Sequence, residues 1–199
     1  MERGRLGRIW QVEYPCSGVF HNHEKPFRRG PRFPNPQSLP MSQCSFDATD
    51  ERDTARLGAA LADLLPDGTT VALCGTLGAG KTRLVQAVAE ATGVNRRNVV
   101  SPTFVLVQEY QGRRTIHHID AYRLRDNDEF LALGPEEYFE SDGLVFIEWA
   151  DRVEPCLPRD RVEVHIDVTG ADSRRFDIRA IGQRYAPVIE QLRHRLAPR

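Results

Sequence analysis

The chain has 199 residues with 27 basic and 28 acidic side chains, and its formal charge of −1 excludes a generally basic nucleic-acid coat protein. No apolar run exceeds four residues, which argues against a membrane-spanning helix and against the apolar stretch of a secretory signal. We therefore expect a cytoplasmic protein that makes no contact with a membrane.

The first forty residues differ in composition from the rest of the chain. They carry seven basic and three acidic groups and six of the thirteen prolines, and no helical or alternating apolar pattern persists in them. We expect residues 1–40 to be a basic, proline-rich extension that is either disordered or upstream of a true start at Met41. A basic tail that touches RNA is a weaker alternative. The folded domain is then expected in residues 41–199.

Apolar periodicity predicts a regular succession of helices and strands in that domain. The first is an amphipathic helix over residues 57–65, with Asp50 or Asp53 as its N-cap and Pro66 beyond its end. A short apolar run at Thr70–Cys74 is typical of a buried central strand. The later predicted elements are a helix over 84–93, β segments at 104–110 and 115–119, a helix over 126–133, a buried strand at 144–147, an antiparallel hairpin of Arg161–Val168 and Arg174–Ile181, and a helix over 188–196.

A glycine-rich string between the first strand and the second helix is the strongest motif. Residues 75–82 satisfy the spacing G-x-x-x-x-G-K-[ST] of a phosphate-binding loop, which arises by chance in about one chain in a hundred of this length. Glycines let successive N–H groups point inward, the following helix adds its positive end, the lysine reaches the outer phosphates, and the threonine hydroxyl binds Mg²⁺. The predicted nucleotide-binding residues of this loop are Gly75, Thr76, Leu77, Gly78, Ala79, Gly80, Lys81 and Thr82.

Two acidic residues stand where a phosphate-loop enzyme needs carboxylates. Asp120 and Glu148 each end an apolar strand segment, and the carboxyl ends of neighbouring parallel strands meet at the ligand-binding edge of a sheet. Thr103 is a candidate sensor of the third phosphate from a movable loop, although the local pattern alone favours a plain turn. Trp149 is a candidate for stacking on the base or on a partner, with a core position as the alternative.

Four motifs in this order resemble those of the TsaE family, formerly YjeE, the bacterial ATPases required for threonylcarbamoyladenosine formation in tRNA. The motifs are residues 75–82, Ser-Pro-Thr-Phe at 101–104, His-Ile-Asp-Ala-Tyr-Arg-Leu at 118–124, and Glu-Trp at 148–149. The resemblance covers residues 50–195. One departure is Ala150, because the family often has a proline after the Glu-Trp pair.

The resemblance implies a fold and a set of functional residues. The implied fold is an α/β P-loop NTPase sheet with helices on both faces and an antiparallel β addition near the C-terminus. Lys81 and the loop amides would hold the phosphates of ATP, and Thr82 and Glu148 would bind Mg²⁺. Lys81, Asp120 and Glu148 would be catalytic, with Asp120 near the γ-phosphate or its attacking water.

The same resemblance implies an activity and its partners. It is a Mg²⁺-dependent ATP hydrolysis, slow in isolation, that supports the tRNA modification together with TsaB and TsaD, while tRNA is contacted at most indirectly. Glu51 and Thr54 would approach the adenine.

Two other functions remain open from the sequence. One is a small-molecule P-loop kinase, which usually carries an arginine-bearing helical lid late in the chain, where a hairpin is predicted here. The other is a nucleotide-regulated binding module with little turnover. A GTPase is disfavoured because no Asn-Lys-x-Asp string occurs.

Overall fold

The computed structural model describes residues 42–197, so the extension predicted over residues 1–40 lies outside the described residues. In chain order the strands and helices are β1 (Gln43–Ala48), α1 (Glu51–Leu64), β2 (Thr70–Cys74), α2 (Lys81–Ala91), β3 (Val107–Gln111), β4 (Thr115–Asp120), α3 (Asn127–Leu131), α4 (Pro135–Phe139), β5 (Leu144–Glu148), β6 (Arg161–Val168), β7 (Arg174–Ile181) and α5 (Ala186–Leu196).

The strands form one seven-stranded sheet in the order β1-β7-β6-β2-β5-β4-β3. Its centre is parallel, because β2 pairs with both β5 and β6 and β4 pairs with β5 in the same direction. Its edges are antiparallel, because β7 pairs with β1 and β6 and β3 pairs with β4. The register places Asp120 directly opposite Glu148. Two strand-end carboxylates therefore stand side by side at one edge.

Apolar cores cover both faces of the sheet, as the alternation of side chains along a strand requires. In β2, Val71 and Leu73 belong to one core and Ala72 to the other. The first core includes side chains of α1, α2 and α5. The second includes Phe130 of α3, with partly buried side chains of α4 packed against it. The predicted α/β architecture with an antiparallel addition is thus confirmed, and no helix within residues 42–197 is long and apolar enough to cross a membrane.

Helix α1 is capped at its N-terminus by Asp50, one of the two residues predicted to do so. The Asp50 carboxylate accepts the backbone N–H groups of Arg52 at 2.7 Å and Asp53 at 3.0 Å, which satisfies two of the N–H groups that a helix start leaves without partners. Asp53 instead accepts the Thr49 N–H at 2.9 Å. The two aspartates therefore fix the chain before and after the helix start.

Helix α1 lies against α2 at Gly58. A Cβ atom added there would lie 2.4 Å from the Ala87 Cβ atom and 2.7 Å from the Ala87 carbonyl carbon. These separations are shorter than van der Waals contact, so glycine is needed for the backbones to approach this closely. The contact helps to position α2, the helix that follows the glycine-rich loop.

The structure departs from the predicted elements at three places. Strand β1, which was not predicted, alternates buried and exposed residues and pairs with the distant β7. The β segment predicted from residue 104 begins only at Val107, because the Leu106 N–H donates to the Pro102 carbonyl at 2.6 Å and closes a turn. The helix predicted over 126–133 is the shorter α3, and α4 follows it as a second short helix.

Candidate nucleotide-binding site

The glycine-rich loop joins β2 directly to α2 and occupies residues 75–80. Gly75 and Gly80 have φ angles of +142° and +109°, a region that only glycine enters at low cost. A Cβ atom on Gly75 would also lie 2.5 Å from the Ile166 carbonyl oxygen. Within the described chain, the N–H groups of Gly78, Gly80, Lys81 and Thr82 donate to no carbonyl oxygen. A cluster of free donors at a helix start suits an anion.

Lys81 is the first residue of α2, and only 4% of it is exposed. Its Nζ atom donates to the carbonyl oxygens of Gly75 at 2.7 Å and Thr76 at 3.0 Å. The same atom lies 3.6 Å from the centroid of the Trp149 ring. Burial lowers the pKa of Lys81, and the nearby carboxylates of Glu148 and Asp120 oppose that shift.

Glu148 forms a buried cluster with side chains from two other elements. Its Oε1 atom accepts the Thr82 hydroxyl at 2.6 Å and lies 2.8 Å from Nε2 of His118. When Glu148 is ionised it can only accept hydrogen bonds, and Nε2 of His118 is then the donor in this contact. His118 is the first residue of the 118–124 motif, but the sequence analysis gave it no role. Its position two residues before Asp120 in β4 was the available signal, since residues two apart in a strand share a face.

Asp120 contacts a different set of groups. Its Oδ2 atom accepts the hydroxyls of Ser101 at 3.0 Å and Thr103 at 2.5 Å. Its Oδ1 atom accepts the Tyr122 N–H at 2.9 Å. The segment between α2 and β3 is therefore tied to the end of β4 through this one carboxylate.

Lys81, Thr82, Asp120 and Glu148 line one cavity of about 520 Å³. Of the predicted site residues, it is lined by Leu77, Gly78, Gly80, Lys81, Thr82, Thr103, Asp120, Glu148 and Trp149. Gly75 and Thr76 instead contact the Lys81 amine, and Ala79 is buried in the loop. The cavity is also lined by four residues to which the sequence analysis gave no role, although two of them belong to its motifs: Arg83, Gln86, Ser101 and Tyr122.

The two residues predicted near adenine do not line this cavity. The Glu51 carboxylate pairs with Arg83 at 3.1 Å and Arg96 at 3.2 Å, and Thr54 is buried in α1. Arg83 does line the cavity, and its ion pair with Glu51 links Glu51 to the cavity indirectly. The contact of Glu51 and Thr54 with a base stays a prediction.

Leu106 and Trp149 are the two non-glycine residues within 42–197 that have positive φ angles, +67° and +58°. Such backbone costs free energy and is often found at functional sites. Trp149 follows Glu148, and its ring packs on that of Tyr122 with 4.9 Å between centroids. Leu106 accepts the Asp120 N–H through its carbonyl at 2.9 Å. Both unusual conformations thus adjoin the two carboxylates of the cavity.

Comparison with known proteins decides the family. The model of the family described as "Threonylcarbamoyl adenosine biosynthesis protein TsaE" matches residues 48–176. The chain belongs to the TsaE family. A TsaE protein of Bacillus subtilis, named for tRNA threonylcarbamoyladenosine biosynthesis, is 36% identical over 153 residues, which are 76% of this chain and 95% of the relative. The TsaE of Treponema pallidum is 37% identical over 64% of this chain and 93% of its own length.

A solved relative agrees in fold as well as in sequence. The crystal structure of YdiB from Bacillus subtilis superposes with a TM-score of 0.66 at 30% identity, covering 79% of this chain and 98% of that one. The resemblance stated from four short motifs is confirmed, and so is the place of this chain in a family of tRNA threonylcarbamoyladenosine biosynthesis.

Proposed function

We propose that this TsaE protein is a Mg²⁺-dependent ATPase that supports threonylcarbamoyladenosine modification of tRNA together with TsaB and TsaD. The observation that carries the proposal is that Lys81, Thr82, Asp120 and Glu148 line one cavity at the end of a phosphate-binding loop. Neither acid lies on the far side of the sheet from the loop, so the two carboxylates face the position where polyphosphate would sit.

The loop and the start of α2 would bind the phosphates. Free N–H groups at Gly78, Gly80 and Thr82 supply hydrogen bonds, and the positive end of the helix favours negative charge. The Lys81 ammonium adds a point charge. Its present acceptors are two neutral carbonyls of the same loop, and phosphate oxygens are stronger acceptors than those.

Thr82 and Glu148 fit a magnesium ion. Their oxygen atoms lie 2.6 Å apart, and Mg²⁺ prefers oxygen ligands and usually shares its sphere with phosphate oxygens and water. No group of three or more acidic, histidine or cysteine side chains among the described residues suggests an all-protein metal cage, which agrees with an ion held jointly with ATP. Bound there, the ion would neutralise charge on the transferring phosphate. His118 would keep the Glu148 carboxylate oriented.

Asp120 would act on the attacking water. Its Oδ2 atom accepts hydrogen bonds from the hydroxyls of Ser101 and Thr103, and a water molecule that replaced either hydroxyl would be oriented by the same oxygen. The segment that carries Thr103 would then respond to the γ-phosphate. Loss of that phosphate on hydrolysis would release the segment and change the surface offered to TsaB and TsaD.

The isolated protein is expected to hydrolyse ATP slowly. A charge-stabilising arginine is a major accelerator of phosphoryl transfer, and Arg83, which lines the cavity, is already paired with Glu51. A partner that supplies or frees such a group would activate the enzyme. Glu51 and Thr54 are proposed to approach the adenine, and the ion pair with Arg83 links Glu51 to the cavity. Trp149 is proposed to stack on the base or on a partner.

The two alternatives make different structural demands. A small-molecule kinase would need an arginine-bearing helical lid over the cavity, but the late helix α5 packs in the core with α1 and β1. This favours hydrolysis over kinase chemistry. A binding module with little turnover would use the same cavity, so kinetics must separate it from an ATPase.

The experiment measures phosphate release from Mg²⁺-ATP by the full chain, alone and with TsaB and TsaD. We expect slow release alone and faster release with the partners. Lys81→Ala should abolish tight ATP binding. Glu148→Gln should remove Mg²⁺-dependent hydrolysis, while Glu140→Gln, at an exposed carboxylate, should leave it unchanged.

Two results would count against the proposal. Undiminished hydrolysis by Lys81→Ala would reject the assigned site. ATP binding that changes partner affinity without any consumption of ATP during single turnover would favour the binding module.

A further inference from the structure

One arginine connects the phosphate-binding loop to a distant hairpin. Arg174, the first residue of β7, donates from Nε to the Ala79 carbonyl oxygen at 3.0 Å. Its Nη1 atom donates to the carbonyl oxygens of Gly170, Ala171 and Ser173, at 3.1, 3.3 and 2.8 Å, in the turn between β6 and β7. A single guanidinium group thus binds the turn on one side and the loop on the other.

The charge of Arg174 is not neutralised by a carboxylate. No ion pair within 4.0 Å involves this residue in the part of the chain that the structure describes, whereas its neighbour Arg175 pairs with Asp47 at 3.6 Å and Asp177 at 3.5 Å. Arg174 therefore brings a full positive charge to the loop, and it also binds the Ala79 carbonyl oxygen, which would otherwise repel an anion. Both the added charge and the occupied carbonyl oxygen favour an anion at the loop.

The hydrogen bond from Arg174 to the Ala79 carbonyl oxygen also fixes the direction of the Gly80 N–H group. In a trans peptide the C=O and N–H bonds point in opposite directions, so holding the Ala79 oxygen holds the Gly80 N–H on the other side. Gly80 lines the cavity and has a φ of +109°. Because glycine lacks a Cβ atom, the peptide before it rotates at little cost. A rotated peptide would turn an oxygen, instead of an N–H, toward phosphate.

We propose that Arg174 is a positioning residue that locks the Ala79–Gly80 peptide with its N–H toward the phosphates and so sets the affinity for nucleoside di- and triphosphates. The bond to the oxygen also polarises the peptide, which makes its N–H a stronger donor. This inference rests on the proposed function, because it assumes that the loop binds nucleotide phosphates.

Calorimetric titration with Mg²⁺-ATP and Mg²⁺-ADP tests the proposal on four proteins, namely the wild type, Arg174→Ala, Arg174→Lys and the control Arg175→Ala. We expect Arg174→Ala to raise Kd about tenfold for both nucleotides, the size of one charge-assisted hydrogen bond. Arg175→Ala removes the same charge from the next residue of the strand and should stay within about twofold of the wild type.

Arg174→Lys separates geometry from charge and serves even if Arg174→Ala fails to fold. A lysine carries its three donors on one nitrogen, so it cannot reach the loop and the turn together as the forked guanidinium does. We therefore expect a several-fold increase in Kd over the wild type, which is smaller than the increase in the alanine variant. A Kd equal to that of the wild type would show that charge alone suffices and would overturn the proposal.

Thermal unfolding of the unliganded variants completes the test. If Arg174 only anchored the hairpin turn, Arg174→Ala would lower the unfolding temperature and leave Kd unchanged, and that result would overturn the proposal. Failure of the proposed function would give another result. In that case the wild type and Lys81→Ala would have the same Kd for ATP, whether high or low.

Discussion

Replacing Gly58 by alanine should change the free energy of unfolding through two opposing effects, helix propensity and steric overlap. In the interior of a helix, alanine is favoured over glycine by about 1 kcal/mol. In α1, however, the new Cβ atom would lie 2.4 Å from the Ala87 Cβ, 2.7 Å from the Ala87 carbonyl carbon and 2.9 Å from the Val88 nitrogen. Two of these atoms are backbone, so rotation of a side chain cannot relieve the overlap. Overpacking of this kind costs about 1–3 kcal/mol.

Because two of the three contacts are with backbone atoms, we take the upper part of that range, about 2–3 kcal/mol. Subtracting the gain of about 1 kcal/mol in helix propensity leaves an expected net loss of about 1–2 kcal/mol. For a domain of this size that lowers Tm by about 2–8 °C. Urea unfolding and thermal unfolding measure the loss. Ala59→Gly, at the next and partly exposed position of α1, measures the propensity term in the same helix.

A double variant localises the cost. Ala87→Gly removes the 2.4 Å contact but leaves the two backbone contacts, so Gly58→Ala should be less damaging in that background without becoming harmless. A Gly58→Ala protein as stable as the wild type, or more stable, would refute the reasoning. It would show that α1 moves away from α2 at little cost.

Two further predictions concern the histidines of β4. Burial lowers the pKa of His117 from its usual 6.5, against an opposing effect of Glu109, so the unfolded chain binds this proton first as the pH falls. The free energy of unfolding should then decrease below about pH 6.5, and His117→Asn should flatten that decrease in urea titrations; an equally steep profile would contradict this. His118→Phe removes the donor to Glu148, so in the proposed ATPase the activation of hydrolysis by Mg²⁺ should weaken about tenfold, while ATP binding in EDTA should be unchanged. An unchanged Mg²⁺ titration would contradict the orienting role.

Local patterns predicted the parts of the fold that depend on nearby residues. The buried run at Thr70–Cys74, the following glycines and the amphipathic α2 lie within a short stretch of chain, and their spacing alone placed the loop at the end of a strand. Asp120 and Glu148 were also predictable as neighbours, because both end apolar runs and parallel strands bring such ends to one edge.

Features that depend on distant pairing were not predictable in this way. Strand β1 has only six residues, and its alternation becomes meaningful only beside β7, where Phe46 lies opposite Phe176. The Arg174 contact with Ala79 joins residues that are 95 positions apart. Residue 104 has an aromatic side chain that fits a strand, yet Phe104 is 81% exposed because the turn that ends at Leu106 carries it out of the sheet.

The two carboxylates of the cavity are held by different kinds of partner. Glu148 is bound by Thr82 of α2 and His118 of β4, and both partners sit on elements packed in the core. Asp120 is bound at Oδ2 by hydroxyls of Ser101 and Thr103, which lie on an irregular segment between α2 and β3. Movement of that segment would therefore change the surroundings of Asp120 and leave those of Glu148 in place. In the proposed ATPase, this difference lets one acid keep its metal-binding geometry while the other follows the state of the γ-phosphate.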